Sequence, residues 1–179
     1  MILPGVIASS GGVASSYESI ATIVPTVGAT SVTFSSIPNT FSHLQIRLLA
    51  RDSSVSYNGN LGVRFNSDTA SNYSYHYMYG AGSTPGAGAG LTTLMLAPMV
   101  CGTTNGSNVF AAGVMDVINY SNTNIYKTIR AYGGFDNSTY GEFFYDSGNW
   151  RSTSAVNSIT FSSATFPAYC HFALYGIKA

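Results

Sequence analysis

Short segments with a two-residue period dominate the sequence from Tyr17 onward. Between residues 43 and 51, for example, Leu44, Ile46 and Leu48 alternate with polar residues. Similar segments are closed by Gly, Asn, Ser or Pro, and none carries a helical stripe of more than two turns. Successive side chains of a strand point to opposite faces, so this period predicts strands with one buried and one solvent-exposed face. About ten strands without intervening helices predict an all-β fold, an antiparallel, jelly-roll-like β-sandwich.

Four segments carry more specific expectations. The apolar run at 108–120 predicts a central strand buried on both faces. The segment 171–177 is apolar on both faces and predicts a fully paired strand. The low-complexity sequence GAGSTPGAGAG at 80–90 predicts a mobile loop. Residues 146–149 predict a turn before the single tryptophan.

Charged residues are scarce in this chain. They make up 8% of it, against roughly 25% in an ordinary soluble domain, while Ser, Thr, Asn and Gly account for 74 of the 179 residues. Seven basic residues balance seven acidic ones, so no net field attracts nucleic acid or an anionic membrane. The apolar runs are shorter than the roughly 18 residues of a spanning helix. We therefore expect a folded domain with no nucleic-acid and no membrane partner.

The N-terminal segment differs from the rest of the chain. Residues 1–16 have no sustained period and hold three glycines and four serines, which predicts an extended arm or linker. The domain proper is then 17–179. If the arm docks the protein on a larger particle, its apolar side chains Leu3, Val6 and Ile7 are the expected contacts.

The first residues lack the charged and apolar regions of an export signal. Cys101 and Cys170 are the only cysteines and have no CxxC spacing. Because thiols stay reduced in the cytoplasm, two free, partly buried cysteines are expected, and a single disulfide is the alternative.

No constellation in the sequence predicts catalysis or a metal site. His43, His76 and His171 fall on or at the ends of predicted strands, and no GxSxG or HExxH motif is present. Glu142 and Asp146 share one face of a predicted strand, but four strand residues span about 13 Å, longer than either glycosidase geometry. We expect no enzyme and no cofactor, and these carboxylates facing solvent or paired with arginine.

The most regular feature is a row of four tyrosines at strict period two: Tyr73, Tyr75, Tyr77 and Tyr79. They predict an aromatic row on one face of a strand. Such a row can be part of the core, the centre of a subunit interface or a platform for stacking sugar rings. The chain has 24 aromatic residues and few charges to cover its surface, so a homo-oligomer with a buried aromatic strand face is expected.

Four stretches are distinctive in combination: TFSSIPNTFSHLQIR (33–47), VRFNSDTASNYSYH (63–76), SITFSS (158–163) and FALYGIK (172–178). Together they resemble a group of small virion proteins of tailed bacteriophages, which occur as head or tail accessory proteins and as end modules of fibre proteins. The group offers no catalytic residues to transfer to this chain.

The resemblance implies a structural protein of the virion, assembled in the cytoplasm of the bacterial host. It would be a capsid decoration (cement) protein or a short fibre subunit, with the major capsid protein or another virion protein as its partner. A receptor-binding tail fibre module that holds a host surface glycan is the alternative. Analogy with virion fibres and threefold sites on shells implies a trimer.

Overall fold

The computed structural model describes residues 16–178, which form fourteen β-strands and no helix. No helix in this part of the chain is long and apolar enough to cross a membrane. The strands, in chain order, are β1 Tyr17–Ile23, β2 Ala29–Phe34, β3 His43–Ala50, β4 Asn58–Gly59, β5 Gly62–Phe65, β6 Tyr73–Ala81, β7 Thr84–Thr92, β8 Met95–Leu96, β9 Val100–Cys101, β10 Ala111–Ile118, β11 Lys127–Asp136, β12 Gly141–Trp150, β13 Ile159–Phe166 and β14 His171–Ile177.

The strands form two unequal antiparallel sheets and a short patch. The large sheet has eight strands in the order β1-β14-β3-β10-β11-β12-β6-β7, and the small sheet has four in the order β2-β13-β5-β8. Strands β4 and β9 pair separately. The all-β, antiparallel sandwich class is confirmed, whereas the expected number of about ten strands was too low. The jelly-roll-like order of the connections stays a prediction.

Aromatic side chains join the two sheets across the main hydrophobic core. Phe161 of the small sheet contacts Phe172 of the large sheet with ring centroids 5.5 Å apart. Phe65 packs edge-on against Trp150 at 5.7 Å. These contacts cover part of one face of the large sheet, here called the inner face. No strand of the described chain covers the opposite, outer face.

The expected paired strand at 171–177 is confirmed, since β14 has those bounds and pairs with both β1 and β3. The central position of the 108–120 run is also confirmed, because β10 lies between β3 and β11. Its burial on both faces is wrong. The outer-face residue Ala112 is exposed, because no second layer packs there.

Two segments predicted as loop or turn are strands. Of the predicted loop at 80–90, residues 80–81 end β6 and residues 84–90 lie in β7. β7 pairs along its whole length with β6 through a two-residue connection at Gly82 and Ser83. Gly82 has a φ of +56°, a backbone conformation that favours glycine. The predicted turn at 146–149 lies inside β12 and pairs with both β11 and β6. In both places cross-strand partners override a local composition typical of loops.

Candidate functional site

The four tyrosines of β6 share the inner face, as predicted, but they have two different environments. Tyr73 is fully buried and stacks on Trp150 with ring centroids 6.3 Å apart. Its hydroxyl accepts a hydrogen bond from the Phe65 amide at 3.1 Å, and burial raises its pKa to about 12. The core interpretation therefore holds for Tyr73. Tyr75, Tyr77 and Tyr79 are only partly buried.

Tyr75, Tyr77 and Tyr79 lie side by side along the strand. The Tyr75 and Tyr77 centroids are 6.2 Å apart with 21° between the ring planes, and Tyr77 and Tyr79 are 6.2 Å apart at 31°. Residues i and i+2 of a strand are about 6.6 Å apart, so this spacing is that of the backbone itself. Neighbouring rings are therefore spaced as the backbone is, and their planes are tilted by only 21–31° to each other.

Glycines of β7 form the floor under these rings. Tyr75, Tyr77 and Tyr79 pair across the strands with Gly90, Gly88 and Gly86. A Cβ atom on Gly88 would lie 2.5 Å from the Tyr77 hydroxyl oxygen, and one on Gly90 would lie 2.7 Å from the Tyr75 ring. The space that side chains of β7 would occupy is thus filled by the tyrosine rings. Glycine at every second position is a requirement of this packing.

A groove of about 440 Å³ runs between the tyrosine row and a second, polar wall. We call it the tyrosine groove. The β6–β7 hairpin contributes the ring faces, β12 contributes Glu142 and Phe144, β4 contributes Asn58, and the turn after β11 contributes Tyr140. The lining residues are Asn58, Tyr77, Tyr79, Ala81, Thr84, Met99, Tyr140, Glu142 and Phe144.

Glu142 organises the polar wall of the tyrosine groove. It is buried, and the Asn58 side-chain amide donates to its Oε2 at 2.5 Å. The Tyr140 hydroxyl donates to its Oε1. Burial and then this hydrogen bond to Glu142 raise the pKa of Tyr140 to about 12, so Tyr140 remains a donor at neutral pH. Both donors to the Glu142 carboxylate are neutral. No Lys, Arg or His is among the residues that line the groove.

An amide network holds the loops that carry this wall. The Asn137 side chain donates to Asn105 at 2.7 Å, and the Asn105 side chain donates to the Tyr57 carbonyl at 2.5 Å. Asn137 also accepts a hydrogen bond from the Tyr140 amide at 2.7 Å. The rings of Tyr57 and Tyr140 then meet with centroids 4.1 Å apart. Asn58 and Tyr140 are thereby positioned relative to each other by partly buried contacts.

The outer face of the large sheet carries a second aromatic row. In register across the strands, Val114 is paired with Tyr132, Tyr132 with Tyr145, and Tyr145 with Met78. Phe143 lies next to this row on the same face of β12. Met78, Tyr132, Tyr145 and Phe143 are all exposed, and shallow apolar grooves flank Met78. Nothing within the described chain covers this row.

The carboxylates of β12 differ from the expectation. Glu142 and Asp146 do share one face, but that face is the inner one, and both are buried, so the expected solvent exposure or arginine pairing is wrong. Asp146 Oδ2 is the one buried side-chain oxygen or nitrogen of the described residues that has no hydrogen-bond partner. Burial raises the pKa of Asp146 to about 7.

Cys101 and Cys170 are both buried as free thiols. Within residues 16–178, no group of three or more His, Cys, Asp or Glu side chains could hold a metal ion. The arm residues Leu3, Val6 and Ile7 lie outside the described residues.

Comparison of the chain with protein-family models, with curated proteins and with solved structures found no match.

Proposed function

We propose that this protein is a structural, non-enzymatic component of a tailed-bacteriophage virion, a decoration protein or short fibre subunit that assembles through the outer face of its large sheet. The occupant of that face is a second copy of the chain. The observation that carries the proposal is the uncovered row of Met78, Tyr132, Tyr145 and Phe143. Single exposed apolar residues are ordinary, but a contiguous apolar patch on a soluble protein marks an interaction site.

The dimensions of the outer face support a stable contact. Eight strands at about 4.8 Å and six residues at about 3.4 Å give a surface of roughly 38 by 20 Å. That is close to the roughly 800 Å² per partner that a standard interface buries. The charges on this face also balance, because Arg47 and Arg130 oppose Asp116 and Asp136. Two identical faces therefore meet without net repulsion, which favours a second copy over a strongly charged partner.

The resemblance to virion proteins supports the location on a particle. Its four stretches include most of β13 and β14 and parts of β2, β3, β5 and β6. In the fold these strands are neighbours: β13 pairs with β2 and β5, and β14 pairs with β3. The resemblance therefore concerns the strands that build the shared core, as expected for a common scaffold with variable surfaces.

Light scattering tests the assembly step. We expect a mass that is a multiple of 18.8 kDa at micromolar concentration, and a monomer for Tyr145→Lys. One self-complementary face closes as a dimer, whereas the trimer implied by analogy needs two different patches on each subunit. Val55→Lys is the matched control, because Val55 is an exposed apolar residue in the connection between β3 and β4 and belongs to neither sheet. A monomeric wild-type protein would contradict the proposal.

The virion location is tested by counting copies of the protein in purified particles. Hundreds of copies indicate a decoration protein, and a few tens or fewer indicate a fibre. The absence of the protein from purified particles would refute a virion role.

One observation, the tyrosine groove, supports the receptor-binding alternative as a second candidate function. It combines flat aromatic surfaces with a few fixed polar groups, the composition typical of small-ligand sites.

A further inference from the structure

We infer that the tyrosine groove binds a neutral, pyranose-based glycan on the ring faces of Tyr77 and Tyr79, an inference that rests on the receptor-binding form of the proposed function. The outer face and the tyrosine groove lie on opposite sides of the same sheet. Assembly through the outer face therefore leaves the groove open.

The platform has the shape that a sugar chain needs. A pyranose ring presents an apolar face of C–H groups, which packs on an aromatic ring of similar width. Tyr77 and Tyr79 offer two such rings side by side, with centroids 6.2 Å apart and planes 31° apart. Consecutive sugar units of an extended glycan can therefore each cover one ring.

Unused hydrogen-bonding groups surround the platform. The hydroxyls of Tyr77 and Tyr79 and the side-chain carbonyl of Asn58 have no hydrogen-bond partner within residues 16–178. Each Glu142 oxygen accepts one hydrogen bond from the protein, and a carboxylate oxygen can accept a second. The wall thus offers both donors and acceptors, which matches a ligand whose edge is a series of hydroxyl groups.

The charge of the groove selects the ligand class. No Lys, Arg or His lines it, and neither ion pair of the described residues involves Glu142. A sugar acid, a sulfated sugar or a phosphate would meet this carboxylate without a counter-charge, which costs free energy in a partly buried site. Neutral hexoses and deoxyhexoses carry no such cost.

The groove is also preorganised. The tyrosine rings fill the space above glycines of β7, and the Asn137–Asn105 hydrogen bond fixes the turn that carries Tyr140. A ligand therefore has few side chains to immobilise, which lowers the entropic cost of binding.

Amide-detected NMR titration of the full chain tests the inference. The probes are neutral tetrasaccharides of α- and β-linked glucose, galactose, mannose and rhamnose, with tetragalacturonate as the acidic counterpart. We expect at least one neutral tetrasaccharide to shift the amide signals of Tyr77, Tyr79 and Gly88, and tetragalacturonate to bind more weakly. Tyr77→Ala and Tyr79→Ala should each weaken binding about tenfold or more. Tyr145→Ala, on the outer face, should leave it unchanged.

A second variant guards against loss of fold in the alanine variants. Thr84→Trp adds a ring at the rim of the groove without removing a packed one, and it should abolish the shifts. The inference is overturned if no neutral probe binds, if tetragalacturonate binds more tightly, or if Thr84→Trp binds as the wild type does. A chain that binds sugar but is missing from virions would refute only the virion role. One that is present in virions but binds no neutral probe would refute only the groove.

Discussion

The two faces of the large sheet carry aromatic rows of similar composition that are held in different ways. On the inner face, Tyr77 and Tyr79 lie flat over glycines and form one wall of a groove. On the outer face, Tyr132 and Tyr145 are paired with each other across two strands and nothing lies above them. The inner row is fixed within the subunit and suits a small flat ligand. The outer row depends on another macromolecule to remove its apolar surface from water.

The largest expected effect compares two adjacent phenylalanines of β12. Phe144 is 1% exposed on the inner face and Phe143 is 55% exposed on the outer face. Phe144→Ala should destabilise the fold by about 3–5 kcal/mol because it removes a buried ring, and Phe143→Ala by less than about 1 kcal/mol. Urea unfolding at low protein concentration measures both. A large, concentration-dependent cost at Phe143 would show that its ring is covered in an oligomer.

The second prediction concerns the pH dependence of stability that comes from Asp146 on the inner face. Burial raises the pKa of Asp146 to about 7 from an ordinary value of 3.8. Its neutral form is therefore favoured in the folded state, so stability is highest below about pH 4 and falls as the pH rises through 7. The linked loss is about 4 kcal/mol between pH 4 and 7, and roughly 3 kcal/mol of it falls above pH 5. Asp146→Asn should remove this dependence in thermal unfolding measured from pH 5 to 9.

Asp116 provides the control for that measurement. It lies on the outer face, where Arg130 donates to its Oδ2 at 2.9 Å and Gln45 donates to its Oδ1 at 2.9 Å. Asp116→Asn should retain the loss of stability as the pH rises to about 7. If the Asp146→Asn protein still loses stability between pH 5 and 9, another group is responsible.

The smallest effect compares neighbouring residues of β7. Gly88→Val should cost about 1–2 kcal/mol, because its side chain would displace the Tyr77 ring. Ala89→Val points to the outer face and should be neutral or slightly stabilising, since β-branched residues favour strands. Chemical unfolding under identical conditions measures the free energy of unfolding of both variants. Equal costs would mean that the rings do not depend on the glycine floor.

Much of the architecture was predictable from alternation alone. β14 was predicted with its observed bounds, and the tyrosines of β6 were assigned to one face, because both segments carry large side chains at period two. β7 was missed because glycine and alanine produce no hydropathy contrast. A signal was nevertheless present: glycines at 86, 88 and 90 mirror the tyrosines at 79, 77 and 75 about the turn at 82–83.

The polar wall of the groove was not predictable in this way. Asn58 and Glu142 are 84 residues apart in sequence, and no local pattern links them. Their proximity results from the pairing of β4 with β9 beside the large sheet. A charged side chain such as Glu142 is expected to face solvent or to pair with arginine, yet here two neutral donors satisfy its oxygens and make its burial possible.

The strand order places the two ends of the described chain at one edge of the large sheet and the β6–β7 hairpin at the other. Strands β1 and β14, which hold the first and last parts of the described chain, are neighbours at one edge of the large sheet, and β7 forms the opposite edge. Seven strand intervals, about 34 Å, separate these edges. A segment that continues from the first or the last described residue therefore leaves the fold at the β1–β14 edge. The β6–β7 hairpin, with glycines of β7 beneath its tyrosines, lies at the opposite edge and stays free of a partner attached at the β1–β14 edge.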